Sequence, residues 1–338
     1  MKKQFFIGID VSKYTLDATV IEHQDKERSN PQWKVFDNDP TGLHMLGQWL
    51  KSLGVVYGSN GLVLIENTGL YHRHLVSWCN KVGLDICVEN GAQVKWSMGI
   101  LRGKSDRVDS RRLALYAARF IDRLKPKQVL EPGIQDLKDL MTLRNRHLAH
   151  LSSLVAHLKE LGLTSDKAFV KQLEKTHKGL IKTLKATIKT IESSIEKLLK
   201  DNEQMSRQYS LLLTVPGIGP VTAAYLVACT NAFTNCSSGK QLACYCGVVP
   251  FDHQSGVSIK GKSRVHKMAN KELKRLLHMC ALAALKYNKE IGDYVNRKVA
   301  EGKNKMSVLN AVRNKMVLRA FAVVKNNRPF VDNYNIAA

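Results

Sequence analysis

The chain has 338 residues and a formal net charge of +23, with 52 lysines and arginines against 29 aspartates and glutamates. This length accommodates two or three domains with apolar cores. A hydrophobic content of 44% with 24% charged residues is typical of a folded protein in water and excludes a disordered or fibrous chain. Because each lysine or arginine that meets a phosphate releases condensed counterions, the basic excess favours nucleic acid as the partner over a merely basic protein.

The cysteines and the apolar runs bear on the compartment. Seven scattered cysteines show no disulfide framework, so we expect free thiols in a reducing cytoplasm. A zinc site at Cys236, Cys244, Cys246 and His253 stays an alternative to small buried thiols. No apolar run is long enough to span a bilayer, and Asp10 comes too early for a signal peptide, so we expect no membrane partner.

The first third of the chain alternates strand and helix patterns. Two apolar runs at 4–13 and 14–23, with turn residues between them, predict a β-hairpin. The patterns that follow predict helices over 39–54, 69–83 and 104–124 and strands over 61–67 and 84–90. Strands that alternate with helices indicate a mixed sheet with helices on its faces, and we place this α/β domain at residues 1–128.

Four carboxylates in this domain stand at the ends of predicted elements. Asp10 and Glu66 end strands, and Asp106 and Asp109 share one face of a helix because they are three residues apart. Together they predict an all-oxygen cluster of the kind that Mg²⁺ prefers. Each residue also has a plain structural alternative: Asp10 as a turn cap, Asp106 as a helix cap, and Asp109 as the partner of Arg112.

The middle of the chain is predicted to be a helical hairpin over residues 133–207. Pro126 and Pro132 mark its beginning, and leucines and isoleucines then recur at spacings of three and four residues, with Arg144 as an interruption. A break near residues 162–166 separates two such runs. The apolar faces either pack on each other as an antiparallel pair or form a coiled coil that dimerises the protein.

The last third, residues 208–330, is predicted to be mostly helical. Residues 215–220, "VPGIGP", resemble the turn of a helix-hairpin-helix, in which glycines let the backbone approach a phosphate. We therefore interpret Gly217 and Gly219 as contacts to the DNA backbone without sequence preference.

A second phosphate-binding stretch is the loop at residues 255–264, "SGVSIKGKSR". From spacing alone, a serine here either binds a phosphate or attacks it, and Ser255, Ser258 and Ser263 are equal candidates. The basic residues that we expect to grip the nucleic-acid backbone are Lys260, Lys262, Arg264, Lys267, Lys271, Lys274 and Arg275.

Several motifs together resemble one family over nearly the whole chain. They are "IGIDVSK", "IENTG", "GKSDRVDSRRLA", "VPGIGPVTA" and "GVVPFDHQSGVSIKGKSRVHKMANKELKRLL". In this order they are similar to the DEDD-type transposases of bacterial insertion sequences, which are related to the Piv invertases. Ser105 is a small departure, since related sequences often carry Thr there. The resemblance implies a RuvC-like, RNase H-type N-terminal domain, a coiled-coil middle and a C-terminal transposase domain.

The resemblance also implies roles for the candidate residues. Asp10, Glu66, Asp106 and Asp109 match the metal-binding tetrad, and Ser255 matches the nucleophilic serine. Family members are implied to use a structured non-coding RNA, the bridge RNA, which pairs with donor and target DNA. The implied location is the cytoplasm of a bacterium, near the nucleoid.

We therefore expect a Mg²⁺-dependent DNA recombinase with a covalent phosphoserine intermediate. Two double-stranded DNA partners need at least two sites, so we expect a homodimer or homotetramer. The competing function is a Holliday-junction-type endonuclease that uses the acidic tetrad with water and needs no serine. A nucleic-acid-binding protein with a decayed catalytic fold is the third possibility.

Overall fold

The structure, a computed structural model, describes residues 3–22, 31–67, 69–99, 103, 105–127, 129–255, 259–266 and 268–332. The side chains of 252–255, 259, 260 and 262 are outside this description. The chain forms two compact units, residues 1–129 and 130–338. In the described part of the chain, no helix has the length and apolar character that crossing a membrane requires.

Unit 1 is built on a five-stranded sheet. Its strands are β1 Phe5–Val11, β2 Thr15–Glu22, β3 Gln32–Asp37, β4 Gly61–Glu66 and β5 Ile86–Glu89, in the order β3-β2-β1-β4-β5. β1 is antiparallel to β2, as the predicted hairpin requires, and parallel to β4. The sequence did not predict β3, because it is a mostly exposed edge strand without an alternating apolar pattern.

Four helices cover the two faces of this sheet. They are α1 Pro40–Ser52, α2 Arg73–Val82, α3 Gly91–Met98 and α4 Asp106–Arg119. The predicted helix 69–83 begins only at Arg73, since Gly69 has a φ of +80° that a helix cannot contain. The predicted helix 104–124 ends at Arg119, and α3 was not predicted because it buries a single residue, Val94. The α/β prediction is confirmed for this unit.

The backbones of β1 and α4 touch at Gly8. A Cβ at this position would lie 2.1 Å from the carbonyl oxygen of Ser110 and 2.2 Å from the amide nitrogen of Ala114. Only a residue without a side chain permits this contact. A buried hydrogen bond of 2.8 Å between the Thr19 and Ser110 hydroxyls holds the same helix turn against β2.

We expect Gly8→Ala to lower the free energy of unfolding of unit 1 by about 3 kcal/mol, because the new methyl group forces α4 away from the sheet. Tryptophan fluorescence during denaturant unfolding measures this directly, since all four tryptophans lie in residues 1–129. Gly179→Ala is the control, because nothing lies within 4 Å of its added Cβ. Equal stability of the Gly8→Ala variant and the parent would contradict this account of the β1–α4 contact.

Unit 2 begins with a hairpin of two long helices, α5 Ile134–Thr164 and α6 Lys167–Lys200. Asp166 in the predicted break caps α6 by accepting hydrogen bonds from the amides of Ala168 and Phe169. Arg144, which interrupts the apolar pattern, pairs with Glu192 of α6 at 2.6 Å. The two helices contact each other within one chain, which is the arrangement of the predicted antiparallel pair.

Six further helices and a β-ribbon complete unit 2. The helices are α7 Glu203–Leu213, α8 Pro220–Cys229, α9 Gly239–Tyr245, α10 Lys271–Tyr287, α11 Lys289–Ala300 and α12 Lys305–Lys325. The ribbon pairs β6 Phe251–Ser255 with β7 Ile259–Arg264 in antiparallel register. One apolar core runs from the base of the α5–α6 hairpin through α7 to α12. All seven cysteines are free thiols.

Candidate active site

Two of the predicted carboxylates lie at one edge of the sheet in unit 1. Asp10 is next to the end of β1, and Glu66 is the last residue of β4. Because β1 and β4 are parallel, with Ile9 opposite Ile65, both strands carry their carboxylates to the same edge. The sheet topology therefore brings together two residues that are far apart in sequence.

The other two carboxylates lie in the first turn of α4. Ser105 caps this helix, because its hydroxyl accepts a hydrogen bond of 3.3 Å from the amide of Val108. Asp106 is therefore the first residue of the helix. It is not the helix cap, so the structural alternative for this residue is wrong. The contact of Gly8 with Ser110 and Ala114, just after this first turn, holds the same end of α4 against β1.

Asp10 is affected both by burial and by the other carboxylates. The pKa of Asp10 is raised to about 6, first by burial and then by the negative charges of Asp106, Asp109, Asp17 and Glu66. Part of Asp10 is therefore protonated near neutral pH.

Asp17 is a fifth carboxylate, which the sequence did not single out. It lies directly opposite Asp10 in the β1–β2 pair and is 7% exposed. Burial and the charge of Asp106 raise its pKa, and a hydrogen bond with Trp33 opposes the rise. Its position in the middle of a predicted strand gave no signal, because only the pairing register places it beside Asp10.

An open cavity of about 860 Å³ adjoins the carboxylates, and Asp10, Glu66 and Asp109 line it. The Glu66 carboxylate lies against Gly91, where an added Cβ would be 1.7 Å from its Oε1 atom. Gly91 is the first residue of α3, so Glu66 lies at a helix N-terminus, where a negative charge is favoured. Glycine here leaves the room that the carboxylate occupies.

Asp109 also makes the ion pair that the sequence offered as an alternative. Arg112 donates to Asp109 Oδ1 at 2.8 Å. In the described part of the chain, no three histidine, cysteine, aspartate or glutamate side chains are grouped tightly enough to hold a metal ion. The carboxylates therefore do not surround a common point. Their donor chemistry does fit a hard divalent cation, because all the ligand atoms are oxygens and the set carries excess negative charge.

Residues of α3 line the same cavity with side chains of another kind. Lys95, Trp96 and Met98 of α3 line it, and Trp96 is 70% exposed. A large exposed aromatic ring beside a lysine is suited to stacking on a nucleobase. The sequence did not predict that these three residues line the cavity, because it did not predict α3.

We expect Asp10→Asn to stabilise the metal-free protein by about 1 to 2 kcal/mol near pH 7.5, after allowance for solvent screening. The carboxyl has a folded pKa of about 6, above its ordinary value of 3.8, so its ionised form opposes folding above pH 6. The gain should shrink as the pH falls from about 6 towards 4. Tryptophan fluorescence during unfolding in the presence of a chelator measures it.

Asp122→Asn is the matched control, because that carboxylate is exposed in the same unit and pairs only distantly with Arg123, at 3.8 Å. It should leave the stability of unit 1 unchanged at every pH. If the Asp10→Asn variant behaves like this control, burial and carboxylate repulsion do not raise the pKa of Asp10.

The candidate serine lies on the β6–β7 ribbon, where the sequence predicted a loop. Ser255 ends β6 and pairs with Ile259 of β7, and Ser263 lies farther along β7. The ribbon is rich in serine, glycine and lysine, and apolar residues do not alternate along it. The sequence pattern therefore did not predict its two strands. Outside the description lie Ser258, Lys267 and the side chains of Ser255, Lys260 and Lys262.

The glycine turn at residues 215–220 joins α7 to α8. Gly217 has a φ of +88°, and an added Cβ would lie 2.6 Å from the carbonyl oxygen of Cys280. Its conformation and close packing require glycine whether or not DNA is bound. Gly219 precedes α8 as its N-cap, and nothing lies within 4 Å of its added Cβ. Gly219 is therefore the better placed of the two for a phosphate.

The remaining basic candidates differ in their surroundings. Arg264 is exposed at the end of β7, and Lys271 is exposed as the first residue of α10. Lys274 lies one turn later and is partly buried. Arg275 makes two hydrogen bonds to Glu272, of 3.0 and 2.5 Å, so its charge is balanced locally.

Comparisons with known proteins cover most of the chain. The family model of DEDD transposases of the IS110 type, described as "Transposase", matches residues 7–165. The model described as "Transposase IS116/IS110/IS902 family" matches residues 209–296. The chain is 30% identical over 332 residues to the "Pilin gene-inverting protein" of Moraxella bovis, which covers 96% of this chain and 97% of that protein.

Two further relatives agree with these matches. The "Pilin gene-inverting protein" of Moraxella lacunata is also 30% identical over 332 residues. The "Insertion element IS110 uncharacterized 43.6 kDa protein" of Streptomyces coelicolor is 28% identical over 116 residues, which are 34% of this chain and 28% of that protein.

Proposed function

Because the chain belongs to the IS110-type transposase family and is a DNA transposase or recombinase, we propose that it cuts and rejoins DNA through a phosphoserine formed on Ser255. The observation that carries the metal-dependent part is the group of carboxylates at one edge of the sheet, where burial first and neighbouring negative charges second raise the pKa of Asp10 to about 6. Asp10, Glu66, Asp106 and Asp109 would hold Mg²⁺. Bound there, Mg²⁺ would neutralise charge on the scissile phosphate and on the attacking and leaving oxygens.

Ser255 supplies the nucleophile in this proposal. Its hydroxyl oxygen forms an ester with the phosphorus, the bond from phosphorus to the 3′ oxygen breaks, and the released 3′ oxygen takes a proton. The 3′-hydroxyl of the other duplex then attacks the phosphoserine, and the serine oxygen leaves and is reprotonated. The number of phosphodiester bonds is unchanged, so rejoining needs no ATP. Simple hydrolysis would lose that bond.

Other groups of the chain hold the DNA during these steps. Lys260, Lys262 and Arg264 follow Ser255 on the ribbon and would grip the phosphates on either side. Trp96, which lines the same cavity as the carboxylates, would stack on a base that has left the duplex. Two DNA partners need at least two sites, so the active form is proposed to be a homodimer or homotetramer.

We expect Ser255→Ala to lower covalent protein–DNA adducts by about 10³-fold or more, because the alkoxide that attacks phosphorus is lost. Adducts are counted as labelled DNA that stays on the protein in a denaturing gel. DNA binding should persist, as measured by fluorescence anisotropy. Ser263→Ala and Ser258→Ala are the controls and should form adducts like the parent. Adducts that survive in the Ser255→Ala variant would exclude Ser255 as the nucleophile.

We further propose that a structured non-coding RNA selects the donor and target DNA by base pairing. The chain has no recognisable module that reads nucleic-acid sequence, which agrees with delegation of sequence choice to a guide. We expect RNase treatment of the purified protein to abolish recombination and the element's own transcript to restore it. A transcript with an altered pairing segment should redirect insertion. Recombination that continues after complete RNA removal would rule out guidance.

The alternative is a Holliday-junction-type endonuclease in which the same carboxylates activate water. The carboxylate cavity favours this endonuclease, because hydrolysis of DNA by water needs the carboxylates and no serine. It would nick junctions without forming an adduct, and Ser255→Ala would leave nicking unchanged. The adduct measurement therefore separates the two functions.

A further inference from the structure

The long helix α6 carries a row of lysines that lies between the two family models. These models match residues 7–165 and 209–296, whereas α6 runs from Lys167 to Lys200. We call the row the lysine stripe. It consists of Lys167, Lys171, Lys175, Lys178, Lys182, Lys185 and Lys189.

The spacing places all seven ammonium groups along one side of the helix. Successive members are three or four residues apart, so at 3.6 residues per turn they fall within an arc of about 80°. The stripe extends about 33 Å, at 1.5 Å per residue. All seven lysines are exposed.

The charge of the stripe is not balanced by neighbouring acids. Glu174 is the only acidic residue in 167–189. Within the described ranges, no ion pair joins a lysine of the stripe to a carboxylate. The one carboxylate of α6 that forms an ion pair there, Glu192, pairs with Arg144 of α5. Neighbouring lysines are about 5–6 Å apart on the helix surface, within the screening length of about 8–10 Å in physiological salt. They repel one another, and a polyanion would relieve the repulsion.

The other faces of α6 narrow the choice of partner. Val170, Ile188, Ile195 and Leu199 are buried, and they lie on a different side of α6 from the lysine stripe, so the stripe offers a partner charge rather than an apolar surface. Beside the stripe, threonine hydroxyls donate to the carbonyl oxygens four residues earlier, so the lysines are left as the donors for a phosphate. These threonines are Thr176, Thr183, Thr187 and Thr190.

We propose that the lysine stripe binds the sugar-phosphate backbone of double-stranded DNA away from the phosphate that is cut. Its length of about 33 Å is close to one turn of the duplex, about 34–36 Å. Lysines that contact phosphates fix the position of a duplex without reading its sequence. The inference rests on DNA as the substrate of the proposed function and is independent of the serine chemistry.

The test removes four charges from the stripe and four from elsewhere in unit 2. Glutamine keeps the helix, because lysine and glutamine have similar helix propensity, and circular dichroism checks this. The stripe variant combines K171Q, K178Q, K182Q and K185Q. The control variant, of equal net charge, combines K289Q, K303Q, K305Q and K325Q, all of which replace exposed lysines.

Binding of a labelled duplex of about 40 base pairs is measured between about 50 and 200 mM salt for both variants. We expect the slope of log K against log salt to become shallower by about 3 to 4 in the stripe variant, since each lost phosphate contact removes about 0.9. The control should change by less than about 1. Equal changes in the two variants, or none in the stripe variant, would overturn the proposal.

The same titration with duplex RNA of equal length identifies the partner. A loss of RNA binding with unchanged DNA binding would also overturn the assignment to DNA. Adduct formation by the parent protein is measured alongside, so that the serine chemistry is tested separately from the lysine stripe. If the parent forms no adducts, the phosphoserine proposal is refuted. The salt slopes still test the lysine stripe in that case.

Discussion

The contact between the backbones of β1 and α4 at Gly8 is the constraint on which the candidate active site depends. It places the first turn of α4, with its two aspartates, beside the strand ends that carry Asp10 and Glu66. These like charges repel, as the raised pKa of Asp10 shows. The apolar packing of Leu113 and the rest of α4 under the sheet must outweigh that repulsion. The fold thus holds together carboxylates that would separate in a free chain.

Both units therefore hold concentrated charge of one sign. Unit 1 gathers carboxylates at an open cavity, whereas α6 of unit 2 displays unpaired lysines along its length. Neither arrangement favours the isolated fold, because like charges at short range cost free energy in each. In the proposed function, DNA cleavage would supply a partner for each charge: cations for the carboxylates and phosphates for the lysines.

Much of the fold followed from local patterns. Apolar runs with turn residues predicted the β1–β2 hairpin, helix start and stop signals predicted α1, and apolar periodicity predicted the α5–α6 pair. It missed β3 and α3, which bury little, and the β6–β7 ribbon, which carries few apolar residues. The start of α2 lies later than predicted because Gly69 has a positive φ. The end of α4, at Arg119, lies earlier than predicted.

The sequence by itself determined the chemistry that is available: a basic chain, carboxylates at the ends of predicted elements and a serine among lysines. Asp10, Glu66, Asp106 and Asp109 were recognisable because strand ends and first helix turns can be read from the order of residues. Only the tertiary structure decided that Asp17 and Trp96 belong to the same region. Strand register and the placing of a short helix depend on contacts between distant segments, and those contacts leave no periodic mark in the sequence.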